Sequence, residues 1–394
     1  MIRHLFTLIW NRRRANLLLV VEIFLAFVVL FAVGALLVYH QRNYRTPLGF
    51  AYEQVWRVGL DPGTQPEATH LATVQRIMAR LRTLPGVVAV GRTSWNTPFT
   101  GGTNNSPVGA GREARGAVHA SGHTVEDPLR EVLRLQLAAG RWFDRRDDAA
   151  TVPPAVITRD LAEQLFPHQS PLGQVVSRSD ESFRVVGMLE RFRPDGDLAP
   201  TRPAILMRVS PQDTTLGEAN TLLLRVQPGA GGALERQVND EILAVAKGWS
   251  LSIKPLPEQR AAQLKRMLTP IAALVLVCVF LLVNVALGLF GVLWLTINRR
   301  RSELGVRRAL GATAGAISGQ VLGETLVLTT MGLALGLLVA VQFPLLRAYE
   351  VPASVYGTAM LLAAASLYAL ATACALYPSR LAAGIQPAVA LREE

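Results

Sequence analysis

Four long apolar runs constrain the fold of this sequence more than any other feature. They cover residues 17–39, 268–297, 318–343 and 357–377. Each is longer than the roughly 20 helical residues that cross about 30 Å of hydrocarbon. The first run also exceeds the core of a signal peptide, and His40, Gln41 and Arg42 follow it without a small-residue cleavage site. The pattern predicts a polytopic α-helical membrane protein with four transmembrane helices, the first of them a retained anchor.

The basic residues indicate how the chain crosses the membrane. Three short segments, residues 1–16, 298–317 and 378–394, hold 11 Arg against 3 Glu. Because short Arg-rich loops stay in the cytoplasm, both termini are predicted to be cytoplasmic, residues 40–267 periplasmic and residues 344–356 a short periplasmic loop. The formal charge of +11 therefore lies mostly beside the membrane. It indicates orientation and gives no support to a nucleic-acid partner.

A large α+β domain is predicted between the first and second transmembrane helices. Residues 67–83 and 231–246 carry apolar residues at helical spacing. Residues 96–116 are rich in Gly, Asn, Thr and Pro, and predict a loop or at most a hairpin edge. Two subdomains are predicted, divided near residue 92 and again near 200–220. Strands are predicted at 87–91, 155–158, 174–177, 183–189 and 221–226, and a short helix at 160–166.

No catalytic, cofactor or metal site is predicted in this domain. His119 and His123 are four residues apart, but a Ser-Gly pair lies between them, which favours a loop with two solvated histidines over a zinc site. Residues 143–148, with the sequence FDRRDD, predict a solvated surface of self-paired charges. Both cysteines, Cys278 and Cys374, fall in predicted transmembrane helices, where they are expected to be buried small hydrophobic residues.

The segment between the second and third transmembrane helices has the pattern of a short amphipathic helix. Ser302 is predicted to cap this helix and Gly311 to end it. Glu303 in the first turn, and Arg307 and Arg308 towards the end, match the helix dipole. The apolar side of the helix fits either a protein groove or the lipid interface, and periodicity alone does not choose between them.

Motifs along nearly the whole chain resemble those of one family. Ten consecutive residues resemble the E-[IL]-G-x-R-x-A-x-G-A signature of the MacB/FtsX-type ABC-transporter permeases: Glu303, Leu304, Gly305, Val306, Arg307, Arg308, Ala309, Leu310, Gly311 and Ala312. Residues 320–324 are similar to the family's Q-x-x-x-E, and residues 378–392 to its ending P-x-x-x-A-A-x-x-x-P-x-x-A-L-R. Four motifs are similar to its periplasmic core domain, at residues 140–143, 160–166, 171–173 and 185–187.

The resemblance implies the permease subunit of a type VII ABC transporter in the bacterial inner membrane. Residues 302–312 would be a coupling helix docked on an ATPase, and residues 40–267 a porter-like part with an inserted variable part. In this family, closure of the ATPases is transmitted through the transmembrane helices to the periplasmic domains, which export or extract a substrate without a continuous membrane channel. This mechanism is called mechanotransmission below.

The resemblance also implies partners. Only 16 residues precede the first apolar run, so the ATPase is expected to be a separate chain, present in two copies, which itself binds ATP and Mg. The permease is then not an enzyme and holds no cofactor. A second permease chain, identical or a paralogue, is expected beside it in the lipid bilayer. The substrate, and the docking of a periplasmic adaptor or an outer-membrane channel, stay open.

Two other functions are considered. A regulatory ABC complex that transports nothing and activates a periplasmic enzyme, such as a cell-wall hydrolase, would use the same coupling helix, so the sequence does not separate it from a transporter. A membrane-anchored periplasmic enzyme without an ATPase would need a catalytic cluster in residues 40–267. None is found there, and residues 302–312 would be left unexplained.

The family resemblance implies contacts between the coupling helix and the ATPase. Its charged residues are predicted to make polar contacts with the ATPase, and its apolar residues to fill the ATPase groove. The alternative for the two arginines is a role in topology alone. The charged set is Glu303, Arg307 and Arg308, and the apolar set is Leu304, Val306 and Leu310.

Five residues within the transmembrane helices are also singled out. Glu22 and Glu324 are ionisable groups in or near hydrocarbon, where a charge is costly and usually functional. Glu22 is expected to be within reach of residues 12–14 or water, and Glu324 to act in helix packing or coupling. Gly332 and Gly336 form a small-xxx-small face that is predicted to pack within the permease dimer. Asn284 is predicted to form a hydrogen bond between helices.

Overall fold

The structure is a computed structural model that describes residues 13–111, 115–210, 213, 216–217, 219–346 and 351–383. Its helices, in chain order, are α1 (Arg13–Tyr44), α2 (His70–Arg82), α3 (Leu129–Leu133), α4 (Arg159–Leu165), α5 (Gly232–Val245), α6 (Leu256–Arg299), α7 (Arg301–Ala309), α8 (Ala314–Ala340), α9 (Gln342–Leu345) and α10 (Ala353–Ala383). Its strands are β1 (Val55–Asp61), β2 (Val87–Thr93), β3 (Asn105–Ala110), β4 (Arg115–Val125), β5 (Leu137–Gly140), β6 (Pro154–Thr158), β7 (Val175–Arg178), β8 (Glu181–Leu189), β9 (Ala204–Arg208), β10 (Thr221–Val226) and β11 (Ser250–Pro255).

The chain forms two compact units. Residues 43–267, called the inserted domain below, form one unit, and the residues on either side of it form the helical unit. In the helical unit, α1, α6, α8 and α10 are long and apolar enough to cross a membrane, which confirms the four predicted transmembrane helices. Helix α6 begins at Leu256, before the predicted start of the second span at residue 268, because Pro257 lies in the first turn, where proline is tolerated, and no further proline or glycine follows before residue 268.

Buried side chains of α1, α8 and α10 form the core of the helical unit. Phe27 of α1 is fully buried, and its ring stacks on Phe31 with a centroid separation of 6.4 Å. Leu333 of α8 and Leu367 of α10 belong to the same buried cluster. Part of the apolar surface of α1, α8 and α10 is therefore buried between these helices within the chain.

The inserted domain contains an 11-stranded sheet made of two halves. One half has the order β11-β1-β10-β2, with antiparallel pairs, and the other contains β3 to β9. The halves meet at a single described pair of residues, Thr93 of β2 and Val125 of β4. The chain passes from the first half to the second after β2 and returns between β9 and β10, near the divisions at residue 92 and 200–220 that the sequence predicts.

Three apolar clusters hold the inserted domain together. In the first half of the sheet, α2 and α5 cover one face through residues such as Ile77 and Val238. Helix α4 packs on the second half through Leu161. A third cluster contains residues of both halves, among them Leu223 and Leu206, so the two halves share a core. Alternating burial along β8 fits a strand with one face turned to the core.

Within residues 96–116, predicted as a loop or at most a hairpin edge, β3 forms an antiparallel hairpin with β4. Because β3 also pairs with β7, it is an interior strand of the sheet and not an edge. The prediction of two solvated histidines is wrong for His123, which lies within β4 and is buried. Its Nε2 lies 3.1 Å from Ser121 Oγ, and its ring meets Phe192 edge-on. Desolvation, with the nearby Arg178 cation, lowers the pKa of His123 to about 3, so this side chain is neutral at pH 7.

The FDRRDD segment is also less solvated than predicted. Asp147 is buried, and its two carboxylate oxygens accept hydrogen bonds from Arg141 at 2.6 and 2.7 Å. Asp144 pairs with Arg146 at the surface, as a self-paired segment should. Asp148 pairs with Arg208 at 2.7 Å, which links this segment to β9.

A loop at residues 193–199, called the junction loop below, joins the two ends of the inserted domain. The guanidinium of its buried Arg193 donates to the backbone carbonyls of Asn43, Thr46, Asp197 and Ala199. Arg260, near the start of α6, donates to both carboxylate oxygens of Asp197 at 2.8 and 2.9 Å. The chain that leaves α1 and the chain that enters α6 are thus both attached to one loop.

Candidate functional site

Helix α7 is the amphipathic helix that the sequence predicts, with a different start. It begins at Arg301, and Arg300 occupies the capping position without a side-chain hydrogen bond to the helix. Ser302 is therefore not the cap. At the other end Gly311 adopts φ +96°, while Gly311 N and Ala312 N donate to Arg308 O and Arg307 O. This Schellman arrangement ends the helix where the sequence predicts, and Thr313 Oγ1 caps α8 by accepting from Ala316 N.

Five polar side chains close a ring, called the polar ring below, between α7 and α8. Arg300 lies 3.3 Å from Glu324 and 3.8 Å from Glu303. Arg307 contacts Glu303 at 2.6 Å and donates to Gln320 Oε1 at 2.7 Å. Gln320 Nε2 donates to Glu324 Oε1 at 3.0 Å, which completes the circuit. Both helices therefore share one continuous network of charges and hydrogen bonds.

The ends of the polar ring differ in exposure. The Arg300 and Glu324 side chains are 13% and 19% exposed, whereas Glu303 is 46% exposed. A partly buried ion pair with further hydrogen bonds is held more firmly than a surface pair. The Glu324 carboxylate is thus compensated by Arg300 and Gln320 rather than left alone in an apolar helix.

Beneath the polar ring, a small apolar cluster joins α7 to three other helices. Leu304 of α7 is 5% exposed and packs with Ile297 of α6, Ile317 of α8 and Ala382 of α10. Leu304 is therefore unavailable to an ATPase groove, which corrects the role predicted for it. The contacts of Leu304 hold α7 against α6, α8 and α10.

The outer side of α7 carries an exposed apolar strip, called the α7 strip below. Val306 and Leu310 are separated by four residues and are 42% and 83% exposed, and Ala309 beside them is also exposed. Arg308 is half-buried, and Gly305 is buried. The residues of the predicted motif thus divide: Leu304 and Gly305 face the chain itself, and Val306, Ala309 and Leu310 face outward.

The sequence predicts a role for three members of the polar ring, Glu303, Arg307 and Glu324, and none in a site for the other two. Arg300 is one of the 11 arginines that indicate orientation, and Gln320 is part of a motif similar to the family's Q-x-x-x-E. The spacing of Gln320 and Glu324, four residues apart on a helix, was a signal that their side chains could meet. The pairing of Arg300 with Glu324, 24 residues away, depends on the turn at Gly311 and could not be read from spacing.

Gly332 and Gly336 do pack closely, but against the chain's own first helix. A Cβ at Gly332 would lie 2.7 Å from Ile23 Cγ2, and a Cβ at Gly336 would overlap the Phe27 ring. The prediction that these glycines lie within the permease dimer is therefore corrected. They allow α8 to approach α1.

The two remaining intramembrane residues behave differently. Asn284 donates to the carbonyl of Phe280 in its own helix at 2.8 Å, and within the described part of this chain it shows no hydrogen bond to another helix. Glu22 lies against Gly288 of α6, where an added Cβ would be 2.7 Å from Glu22 Oε2. The approach of Arg12, Arg13 and Arg14 to Glu22 that the sequence predicts lies outside the described side chains.

The fold and this site define a multi-pass membrane permease with a large domain between its first two spans. The sequence matches the MacB-like periplasmic core domain over residues 17–243 and the FtsX-like permease C-terminal domain over residues 274–387. The chain belongs to this MacB/FtsX-type permease family. The inserted domain is accordingly its periplasmic core domain.

Curated relatives agree with this assignment. A macrolide export ATP-binding/permease protein MacB of Neisseria gonorrhoeae is 24% identical over 291 residues, covering 70% of this chain and 44% of that protein. The MacB 1/2 protein of Paracoccus denitrificans is 30% identical over 283 residues, covering 70% and 41%. The uncharacterized ABC transporter permease YknZ of Bacillus subtilis is 25% identical over 223 residues, covering 54% of each chain. The matched part thus spans less than half the length of the MacB proteins.

Proposed function

We propose that this chain transmits the conformational change of an ABC ATPase to its periplasmic domain by mechanotransmission, and so drives export or extraction of a substrate. In this proposal α7 is the coupling helix and lies on the cytoplasmic side, as do both termini. A separate ATPase, present in two copies, docks on α7 and binds ATP and Mg. The observation that carries the proposal is the polar ring, since it ties the outward-facing α7 to α8 through side chains that are partly buried.

The docking surface follows from the division of α7 into two faces. Its inner face is occupied by the polar ring and by Leu304, so movement of α7 must also move α8. Its outer face presents the α7 strip, and a helix with one such strip is suited to a hydrophobic groove. The ATPase is proposed to supply that groove. Glu303, with 46% of its side chain exposed, supplies polar contact at the edge.

A second permease chain is proposed to cover part of α6. This helix presents large exposed side chains along one stripe, at Leu276, Phe280, Val283 and Leu287. Their spacing of three and four residues places them on one face. Lipid and a second permease chain are both apolar enough to cover it, and an ATPase dimer would pair with two permeases.

Docking is tested by substitution of the α7 strip. Leu310→Asp places a charge where the groove would bind and disturbs no buried contact. We expect it to abolish co-purification of an ABC ATPase with the tagged chain from native membranes. Leu310→Met keeps the apolar surface and should co-purify the ATPase as the unchanged chain does. Equal ATPase recovery with Leu310→Asp, at unchanged membrane insertion, would refute the docking role of the strip.

A further inference from the structure

The inserted domain contains a cavity that the coupling proposal does not use. Its volume is about 500 Å³, within the range of roughly 300–1,000 Å³ typical of small-molecule sites. Its wall includes Pro47, Gly49, Phe50, Ala51 and Glu53, the first of them three residues after α1 ends at Tyr44. We propose that this cavity binds an anionic amphiphile, a ligand with one phosphate or carboxylate group on an apolar body.

The two cations of the cavity are Arg134 and Arg191. Among the residues that the structure describes, neither guanidinium has a hydrogen-bond or ion-pair partner. Arginine donors in a pocket suit an anionic oxygen, which they bind in a forked geometry. The positive charge of both side chains is therefore available to a ligand.

The carboxylates of the cavity do not cancel this charge. Glu190 accepts from Arg159 at 2.5 and 2.9 Å and is committed to that pair. Glu53 is exposed, and its Oε2 accepts from the backbone N–H of Tyr52 at 3.1 Å. With Glu190 neutralised by Arg159, the two arginines of the cavity lie beside one remaining carboxylate, Glu53, and the cavity favours an anion.

Backbone hydrogen bonds hold the two arginine segments on either side of one wall. Arg193 N donates to Leu48 O at 3.0 Å, and Ala51 N donates to Leu133 O at 2.8 Å. These bonds place the Arg191 segment and the Arg134 segment against residues 48–51. Gly49, with φ +85°, lies so close to the Arg191 carbonyl that a Cβ would overlap it. The backbone positions of both arginines are thus fixed before any ligand binds.

Arg134 occupies an unusual backbone position. It follows α3 with φ 50° and ψ 48°, in the left-handed region where Gly or Asn is usual. A long cationic side chain at a position that disfavours it indicates a use for that side chain.

The apolar part of the wall gives the ligand its second property. Phe50 lines the cavity, and its ring is held by Phe99 and Phe192 at centroid distances of 5.7 Å each. Pro47 and Ala51 lie beside it. Aromatic and aliphatic surface next to two arginines matches an amphiphile better than a free phosphate ion.

The test is binding measured by native mass spectrometry on the full chain in detergent, with no ATPase present. The probes are octyl phosphate and octyl glucoside, which share a chain and differ in head-group charge. We expect the unchanged chain to bind one octyl phosphate, and the double variant Arg134→Gln, Arg191→Gln to bind it about tenfold or more weakly, since two charge-assisted contacts are lost. Octyl glucoside should bind both proteins alike. The control Arg130→Gln removes one positive charge from α3, outside the cavity lining, and should leave octyl phosphate binding unchanged.

Equal binding of octyl phosphate to the unchanged chain and the double variant would overturn the proposal. An equal loss with Arg130→Gln would also overturn it, because the effect would then be one of general charge. Two further probes distinguish the source of the ligand. Weaker retention of phosphatidylglycerol, but not phosphatidylcholine, by the double variant assigns the site to a bilayer lipid, whereas loss confined to octyl phosphate assigns it to a soluble amphiphile. Since no ATPase takes part, this result is independent of the docking test.

Discussion

Arg300 and Glu324 lie 3.3 Å apart and connect the start of α7 to the interior of α8. The two residues are on either side of the turn at Gly311, and Gln320 donates to the same carboxylate. The pair is less exposed than Glu303 and Arg307 on the other side of the polar ring. It is therefore the contact through which a displacement of α7 would reach α8 most directly.

Reversal of this ion pair tests its role. Glu324→Arg alone places two cations together and is expected to uncouple substrate transport from ATP hydrolysis, while the ATPase still binds the exposed α7 strip. The double variant Arg300→Glu, Glu324→Arg restores opposite charges and should recover part of the coupling. The interaction energy from a double-mutant cycle on thermal unfolding should be about 1–3 kcal/mol. Additive effects of the two single variants would show that the pair contributes nothing.

Leu304 and Leu310 should respond in opposite ways to truncation. Leu304→Ala leaves a cavity in the cluster with Ile297 and Ile317 and should lower the free energy of unfolding by about 2–5 kcal/mol. Leu310→Ala removes an exposed side chain and should change it by no more than about 0.5 kcal/mol. Thermal unfolding of the purified chain in detergent gives both values. Similar losses for the two variants would contradict the inner and outer faces assigned to α7.

Gly332 should be intolerant of a methyl group. Gly332→Ala brings a Cβ against Ile23 and the Val20 carbonyl, so α8 must move away from α1, at a cost of about 1–3 kcal/mol. Gly319→Ala is the control, because that glycine lies on the same helix with open space around its Cβ position. The control should be neutral, or stabilising by up to about 1 kcal/mol through helix propensity. Unfolding temperatures of the two variants decide the matter, and equal temperatures would contradict close packing of α8 on α1.

The buried His123 should make the inserted domain sensitive to acid. Desolvation lowers its folded pKa to about 3, while an unfolded histidine titrates near pH ~6.5. The unfolded chain therefore binds an extra proton between these values, so stability from this residue is present above about pH 6.5 and falls as the pH drops towards 3. Unfolding of the unchanged chain and of His123→Gln between pH 7 and pH 4 should show a smaller acid-induced loss in the variant. Parallel pH profiles would contradict the prediction.

The sequence predicts the number and approximate positions of the membrane-spanning helices well and the site contacts less well. Four spans follow from the length of apolar runs, because a bilayer imposes one strong requirement on each segment. Strands such as Thr221–Val226 are recognisable from local composition. The sequence predicts a loop around His123 because Ser and Gly generally form turns, but Ser121 and Gly122 lie within β4, where tertiary pairing overrides local preference. The Arg300–Glu324 pair and the contact of Gly332 with Ile23 join distant parts of the chain, which local patterns do not encode.

The junction loop has a consequence for how this architecture can vary. Asn43 Nδ2 donates to Leu198 O at 3.0 Å, and Gln263 Nε2 donates to Asp195 O at 2.8 Å. The first and last segments of the inserted domain therefore bind the junction loop at positions close together in the sequence, Leu198 and Asp195. A domain whose two ends are held by its own loop is structurally self-contained. We expect that it can be exchanged for a domain of different size without altering the helices on either side, provided that the replacement also holds its two ends by internal contacts. Chimaeras that swap residues 43–267 as one piece should therefore insert and fold more readily than those cut elsewhere in the domain.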